Sequence, residues 1–380
     1  MTLDVEALLA EARAATGLDD FGDANFRHGL ERLVASINGE SRLTPAGAAT
    51  NHGAIVANLV NRLQIEDWYR RHPEIEDQQI VEPLFVVGLP RTGGTALGQM
   101  LASDPANRSL LAWEAMQPCP PPDPATIASD PRIALFRERM EQYRDVAPGT
   151  WEALPVHETM QSECFFLLDM AFASAAVDAV AHTPSYIDWV LQPDLPEIDS
   201  AYRYHRRILK LLQWRMPPRR WVLRAPLHSL AMDALDRVYP DARFVMTHRD
   251  PAKALPSVAL LMHYSRETLL EDPAPAILGP MLVDRWELAM HRLLAFRDRV
   301  GEARFLDVAH RDQIVDPIPR IRALYAQLGW DFEGMETRIA AWQDQHPKGS
   351  HRPDPAFFGM NVDEIGRRFE FYRTRFGDWF

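Results

Sequence analysis

Phe85-Val86-Val87-Gly88-Leu89-Pro90-Arg91-Thr92-Gly93-Gly94-Thr95 is the stretch whose reading decides the fold. Residues 83–88 form a short, continuous apolar run, the texture of a strand buried on both faces of a parallel sheet. A glycine-rich turn follows, and then a helix over about 95–102. Strand, glycine loop and helix in this order aim successive backbone N–H groups and a helix N-terminus at one anion, and the glycines let it approach. The spacing Gly88-x4-Gly93-Gly94-Thr95 has the frame of a nucleotide-binding Walker loop, but Gly94 stands where its Lys belongs. A γ-phosphate-handling enzyme loses its main cation there, while Arg91 offers one from the other side of the loop. A tight packing turn also explains strand, glycine and helix. It has no use for a guanidinium between the glycines.

Working outward, residues 221–261 read WVLRAPLHSLAMDALDRVYPDARFVMTHRDPAKALPSVALL. Two apolar runs each end in charged or hydrogen-bonding residues: Arg224 and His228 after the first, His248 and Arg249 after the second. Ligands of open α/β sheets sit outside the carboxyl ends of the strands, so these residues are expected to face the Arg91 loop. Asp250 followed by Pro251 reads as an N-cap with Pro in the first turn, and Ser257 lies two turns into that helix. A helix N-terminus beside Arg249 makes a second anion site. The competing reading of Arg249 and Asp250 is a surface ion pair. Two anion sites suit a ligand with phosphates at both ends.

The remaining texture agrees with an α/β chain. Residues up to about 75 show apolar positions at three- and four-residue spacing, punctuated by Gly39 and Thr44-Pro45, which predicts helices. Residues 116–149 are proline-rich and then polar-helical; further helices are expected over 158–175 and 201–215, and further strands over 243–246 and 304–308. Strands alternating with helices predict a parallel sheet flanked by helices. The expected division is a helical N-terminal extension over 1–80 and an α/β domain over 81–380.

Composition excludes several classes. With 47% hydrophobic and 25% charged residues, the chain buries a core and is not disordered. Cys119 and Cys164 are too few and wrongly placed for a disulfide framework or a zinc site. The early acids of MTLDVEALLAEARAATG are not a signal peptide, and nowhere do 18 apolar residues run together, so no membrane span is expected and the cytoplasm is the expected compartment. A net charge of −12 argues against a duplex nucleic acid partner. Lysine occurs only at Lys210, Lys253 and Lys348, every other strong base being Arg.

On these residues the chain resembles the sulfotransferases that use 3′-phosphoadenosine-5′-phosphosulfate (PAPS), in particular their large bacterial branch. PLFVVGLPRTGGT resembles the family's 5′-phosphosulfate loop, and ARFVMTHRDPAKALPS resembles its 3′-phosphate motif, with the Arg-to-Ser interval carried by Arg249 and Ser257. The likeness extends from LDDFGDANFRHGL through AYRYHRRILKLLQWR to Lys348-Gly349-Ser350-His351. The resemblance implies a P-loop-like α/β sheet. It implies that the backbone of Arg91, Thr92, Gly93, Gly94, Thr95 and Ala96, with the Thr95 hydroxyl, holds the 5′-phosphosulfate, and that Arg91 replaces the family's loop Lys. Arg249 and Ser257 would hold the 3′-phosphate, and Lys348, Gly349 and His351 the loop closing over the nucleotide. Gly94 departs from the pattern, since many relatives have Ser or Thr there.

The implied reaction passes a sulfuryl group to a small-molecule hydroxyl, leaving 3′-phosphoadenosine-5′-phosphate (PAP). Arg224 falls near the sulfuryl oxygens, and no metal is called for. The acceptor's base is His228 or, second, the Glu158/Glu163 pair. Trp151, Phe165, Phe166, Tyr186, Trp189 and Tyr264 line an acceptor pocket or belong to the core. A nucleotide kinase, with Asp307 as the best Mg²⁺ ligand, and an inactive PAP-binding protein are the alternatives. A homodimer is left open.

Overall fold

The strand predicted from the apolar run is β1 (Leu84–Gly88), buried at every position. In the computed structural model, which describes residues 2–146, 149, 151, 157–346 and 353–380, β1 pairs in parallel with β3 (Arg220–Arg224) on one side and β4 (Arg243–His248) on the other. β4 pairs with β5 (Phe305–Ala309), and a two-residue strand, β2 (Asn107–Arg108), extends β3. Among the described residues these five strands make one parallel sheet in the order β2-β3-β1-β4-β5. The chain moves to one side of β1 for β2 and β3 and to the other for β4 and β5, so strand order reverses at the end of β1. That reversal is where ligands of such sheets bind.

Alternation along β1 supplies both layers. Leu84 and Val86 face one side and pack with Val222, Val245, Leu306 and the helix Gly94–Ala102 through Leu97, Met100 and Leu101. Phe85 faces the other side, with Phe244 at 6.3 Å between ring centroids. Phe244 in turn stacks on Phe305 at 5.0 Å and meets Phe296 of the helix Pro275–Val300 edge-on at 5.5 Å. Fully burying one such ring is worth about 1.5–3 kcal/mol, so the register that aligns Phe85 with Phe244 is strongly set. The same register brings Gly88 level with Thr247, and His248 level with Ala309.

The chain clusters into two compact units. The sheet belongs to the unit made of Val81–Ser109, Arg219–Leu261 and Ala274–Phe380. The other unit contains Met1–Ile80, Leu110–Pro218 and Met262–Pro273. The segment 1–80 thus shares its unit with segments from within 81–380.

In the helical unit, Val5–Thr16, Asn25–Glu40 and Pro45–Arg71 are the predicted helices. Asp4 caps the first, and Thr44 with Pro45 starts the third. The helix expected over 158–175 is not continuous. It is confined to Phe165–Asp169, after which Phe172 takes a φ of +52° and Ser174 caps a short 3-10 turn. Side chains take the carbonyls a longer helix would use internally. Buried Arg62 bonds the Met170 carbonyl at 3.1 Å, and the Tyr186 hydroxyl bonds that of Phe172 at 2.9 Å.

Candidate functional site

The loop after β1 is held by hydrogen bonds that leave little freedom. Gly88 has a φ of +114°, and a Cβ there would lie 2.9 Å from the Thr247 carbonyl. Its N–H donates to Ser229 Oγ at 3.1 Å. Thr92 is buried, its hydroxyl donating to the Leu89 carbonyl at 2.6 Å and sharing a 2.6 Å hydrogen bond with Thr247 Oγ1. Gly93, at a φ of +92°, precedes the helix Gly94–Ala102, and Gln313 donates to the Thr92 carbonyl at 3.3 Å. The loop is thus pre-shaped, the condition for a row of backbone N–H groups to bind an anion without reordering. Gly94 is not imposed by space. A Cβ there would have Val86 Cγ1 at 3.5 Å and Thr247 Oγ1 at 3.9 Å as its nearest neighbours.

Cations converge on this loop. Arg91 itself sits at a φ of +62°, and its Nε donates to Ser257 Oγ at 3.1 Å. Arg249 Nη1 donates to the Arg91 carbonyl at 2.8 Å. Arg224, nearly buried, donates to Thr95 Oγ1 at 3.1 Å. Asp250 caps the helix Pro251–Leu269 through the Ala252 N–H at 3.1 Å, as its position before Pro251 predicts. So Arg91, Arg249 and Ser257 form one cluster rather than two separated ends, and Arg224 with Thr95 stands on the same loop. Burial and then the charge of Arg91 push the Arg249 guanidinium below its ordinary value. His310, the residue after β5, is pushed down to about 4 by burial and by Arg249 and Arg91. A site whose members disfavour one another's positive charge is relieved by a bound anion.

His228 falls in the expected turn, the 3-10 segment Pro226–Leu230 after β3. Its side chain does not stand open at the sheet edge, as the sequence leads one to expect. It is 0% exposed and meets the Phe85 ring edge-on at 5.1 Å. The neighbouring Ser229 reaches the loop, through its hydroxyl at Gly88. Glu158 and Glu163 lie in the helical unit, both half-buried. The hydrogen bond from Arg137, at 2.6 Å, holds the Glu158 carboxyl below the usual range. Of the aromatic set, Tyr186 and Trp189 belong to the core, while Phe165 and Phe166 stack at 4.3 Å and are half-buried. Lys348, Gly349 and His351 lie outside the described residues.

Four contributors were not singled out from sequence: Ser229, Thr247, Gln313 and His310. Ser229 and Thr247 each adjoin a residue that was, and a period-two reading of β4 puts Thr247 opposite His248, toward the loop. Gln313 carries no local signal. Among the described residues, no group of three or more His, Cys, Asp or Glu is placed to hold a metal ion, and no helix is long and apolar enough to cross a membrane.

A family model described as "Sulfotransferase family" matches residues 83–334, a span holding β1, the glycine loop, Arg249 and Ser257. The chain belongs to the sulfotransferase family. Among its relatives, the omega-hydroxy-beta-dihydromenaquinone-9 sulfotransferase Stf3 of Mycobacterium bovis is 24% identical over 274 residues, 70% of this chain and 67% of that protein. The same values hold for Stf3 of Mycobacterium tuberculosis. Among solved structures, sulfotransferase STF1 of Mycobacterium tuberculosis is 32% identical with a TM-score of 0.86, covering 97% of this chain and 98% of that one. Sulfotransferase STF9 of Mycobacterium avium is 28% identical with a TM-score of 0.91, covering 99% and 97%. The chain is therefore an enzyme of this family, with a parallel, P-loop-like sheet flanked by helices.

Proposed function

We propose that this sulfotransferase takes its sulfuryl group from PAPS and passes it, in line and without a metal ion, to the hydroxyl of a small molecule. The observation that carries this reading is the single cluster of Arg91, Arg249 and Ser257 against a pre-shaped glycine loop. The loop N–H groups and the helix Gly94–Ala102 hold the 5′-phosphosulfate; Arg249 and Ser257 hold the 3′-phosphate; and Arg91 meets both. Sulfuryl transfer resembles phosphoryl transfer: charge builds on the leaving oxygen in a loose transition state, and catalysis consists of positioning and fixed charge. Arg91 and Arg224 supply that charge. Lys348, Gly349 and His351 are proposed to close over the nucleotide.

The test is transfer of labelled sulfuryl from PAPS to a panel of phenols, sterols, sugars and long-chain alcohols in EDTA. An ω-hydroxylated prenyl quinone belongs in the panel because the relative Stf3 is named for one. Product in EDTA is the expected result. Loss on chelation, restored by Mg²⁺ and accompanied by phosphoryl transfer from ATP, indicates a kinase; PAP binding without turnover indicates an inactive binder.

Variants assign the acceptor's proton. A ring with no exposed surface, packed on Phe85, is poorly placed to meet a hydroxyl. His228→Ala is therefore expected to lower the melting temperature and to reduce turnover by about tenfold or less. A fall of about 10²-fold or more with the fold intact, the scale of general-base catalysis, would restore His228 as the base. Glu158→Gln and Glu163→Gln are the paired variants, and loss of activity in one identifies the carboxylate.

A further inference from the structure

Three consecutive carbonyls of the anion loop each take a hydrogen bond. That of Gly93 accepts from the Leu97 N–H at 3.0 Å, that of Arg91 from Arg249 Nη1 at 2.8 Å, and that of Thr92 from Gln313 Nε2 at 3.3 Å. The first bond belongs to the helix Gly94–Ala102 itself, and the second uses a guanidinium assigned above to the 3′-phosphate. Gln313 has neither tie. It comes from the short helix His310–Val315 after β5 and is 6% exposed, and its neighbour Asp312 pairs at 2.8 Å with Arg320 of the helix Pro317–Leu328. Its amide lies against Gly93: a Cβ there would be 2.6 Å from Oε1 and 2.8 Å from Nε2. Only the amide nitrogen can donate to a carbonyl, which sets the orientation of the amide.

The Thr92–Gly93 peptide is trans, so its carbonyl and its N–H point in opposite directions. Whatever holds the Thr92 carbonyl therefore aims the Gly93 N–H the other way. This peptide is one that turns over at little cost. Gly93 sits at a φ of +92°, and glycine populates positive and negative φ about equally. Turned over, the peptide presents a carbonyl oxygen where the cradle needs a donor, and that oxygen repels an anion.

We propose that Gln313 is a positioning residue for the 5′-phosphosulfate: by holding the Thr92 carbonyl it keeps the Gly93 N–H turned toward the anion. The inference rests on the reading of this loop as the 5′-phosphosulfate cradle. Gln313 acts through the loop and not on the nucleotide, so its loss is felt at the 5′-phosphate alone. Without it, each binding event must first turn the peptide back, and that ordering is taken from the affinity.

Gln313→Met keeps the length of the side chain and removes the donor. Gln313→Ala, which also removes the bulk beside Gly93, is the second variant and decides if Gln313→Met does not fold. The comparison variant is Tyr325→Phe, which removes a buried hydroxyl bonded to Asp104 at 2.9 Å. Binding of PAP and of adenosine 3′-phosphate, which lacks the 5′-phosphate, is measured by calorimetry for the variants and the unmutated protein, with thermal unfolding recorded alongside. In the Gln313 variants the Kd for PAP is expected to rise about five- to tenfold, the scale of removing one neutral hydrogen bond, with that for adenosine 3′-phosphate unchanged. The KM for PAPS should rise in step with the Kd for PAP. Tyr325→Phe should lose stability and keep the ratio of the two affinities. An unaltered ratio in the folded Gln313 variant, an equal weakening of both nucleotides, or the same change in Tyr325→Phe overturns the inference alone. No preference for PAP over adenosine 3′-phosphate in the unmutated protein overturns the reading of the loop and the inference with it.

Discussion

Arg91→Ala is expected to lower turnover by at least about 10²-fold, the scale on which one fixed charge or donor acts at a transition state, and to weaken PAP binding by about tenfold or less. The asymmetry follows from where charge appears. In the resting nucleotide the phosphates are shared among the loop N–H groups, Arg249 and Ser257, so removing Arg91 leaves most ground-state interactions in place. In the transition state negative charge moves onto the bridging oxygen, and only an interaction that strengthens at that moment raises kcat. The substitution adds no new backbone problem, since Ala faces the same left-handed conformation that Arg91 already adopts. It does remove the 3.1 Å bond to Ser257, which accounts for the modest weakening of binding. Arg91→Lys should keep part of the activity, because an ammonium supplies the charge without the planar fork. Steady-state kinetics with PAP calorimetry separate the two quantities. Equal falls in both would make Arg91 a binding residue only.

Arg249→Ala is expected to erase most of the preference for PAP over adenosine 5′-phosphate, which differ only in the 3′-phosphate. Removing a charge-assisted hydrogen bond at a partly buried site costs about 1.5–3 kcal/mol, or roughly 10- to 100-fold in Kd. An opposing effect has the other sign: in the free protein Arg249 is disfavoured by burial and by the charge of Arg91, so its removal relieves the empty site. That relief benefits both nucleotides equally and drops out of their ratio, which is why the ratio is the quantity to measure. A ratio unaltered in Arg249→Ala removes this residue from phosphate recognition.

The sheet was legible because its strands declare themselves locally. An unbroken apolar run such as 84–88 has no stable place other than a covered strand, and the residues that end β3 and β4 are polar because they leave the core there. The same logic turned Arg224, His228, His248 and Arg249 toward the Arg91 loop, while Thr95 and Ser257 entered as ligands through the family resemblance. β2 was missed because two residues, Asn107 and Arg108, carry no periodicity. The break in 158–175 was missed because it is made by Arg62 and Tyr186, whose side chains take carbonyls that are 108 and 14 residues away in sequence. The burial of His228 escaped for a related reason. A position one turn beyond a strand says where the backbone goes, but the direction of the ring is set by Phe85, which packs beneath it. Gln313 and His310 follow β5, the strand farthest in sequence from the loop they serve, so only the closed sheet brings them to it.

The most direct measurement is calorimetric titration of the unmutated protein with PAP and with adenosine 5′-phosphate, at one salt concentration and in EDTA. A preference for PAP of about tenfold or more is the predicted result, since the second phosphate adds an interaction with Arg249 and Ser257 that is worth a charge-assisted hydrogen bond. Equal affinity for the two nucleotides contradicts the assignment of PAPS as the donor.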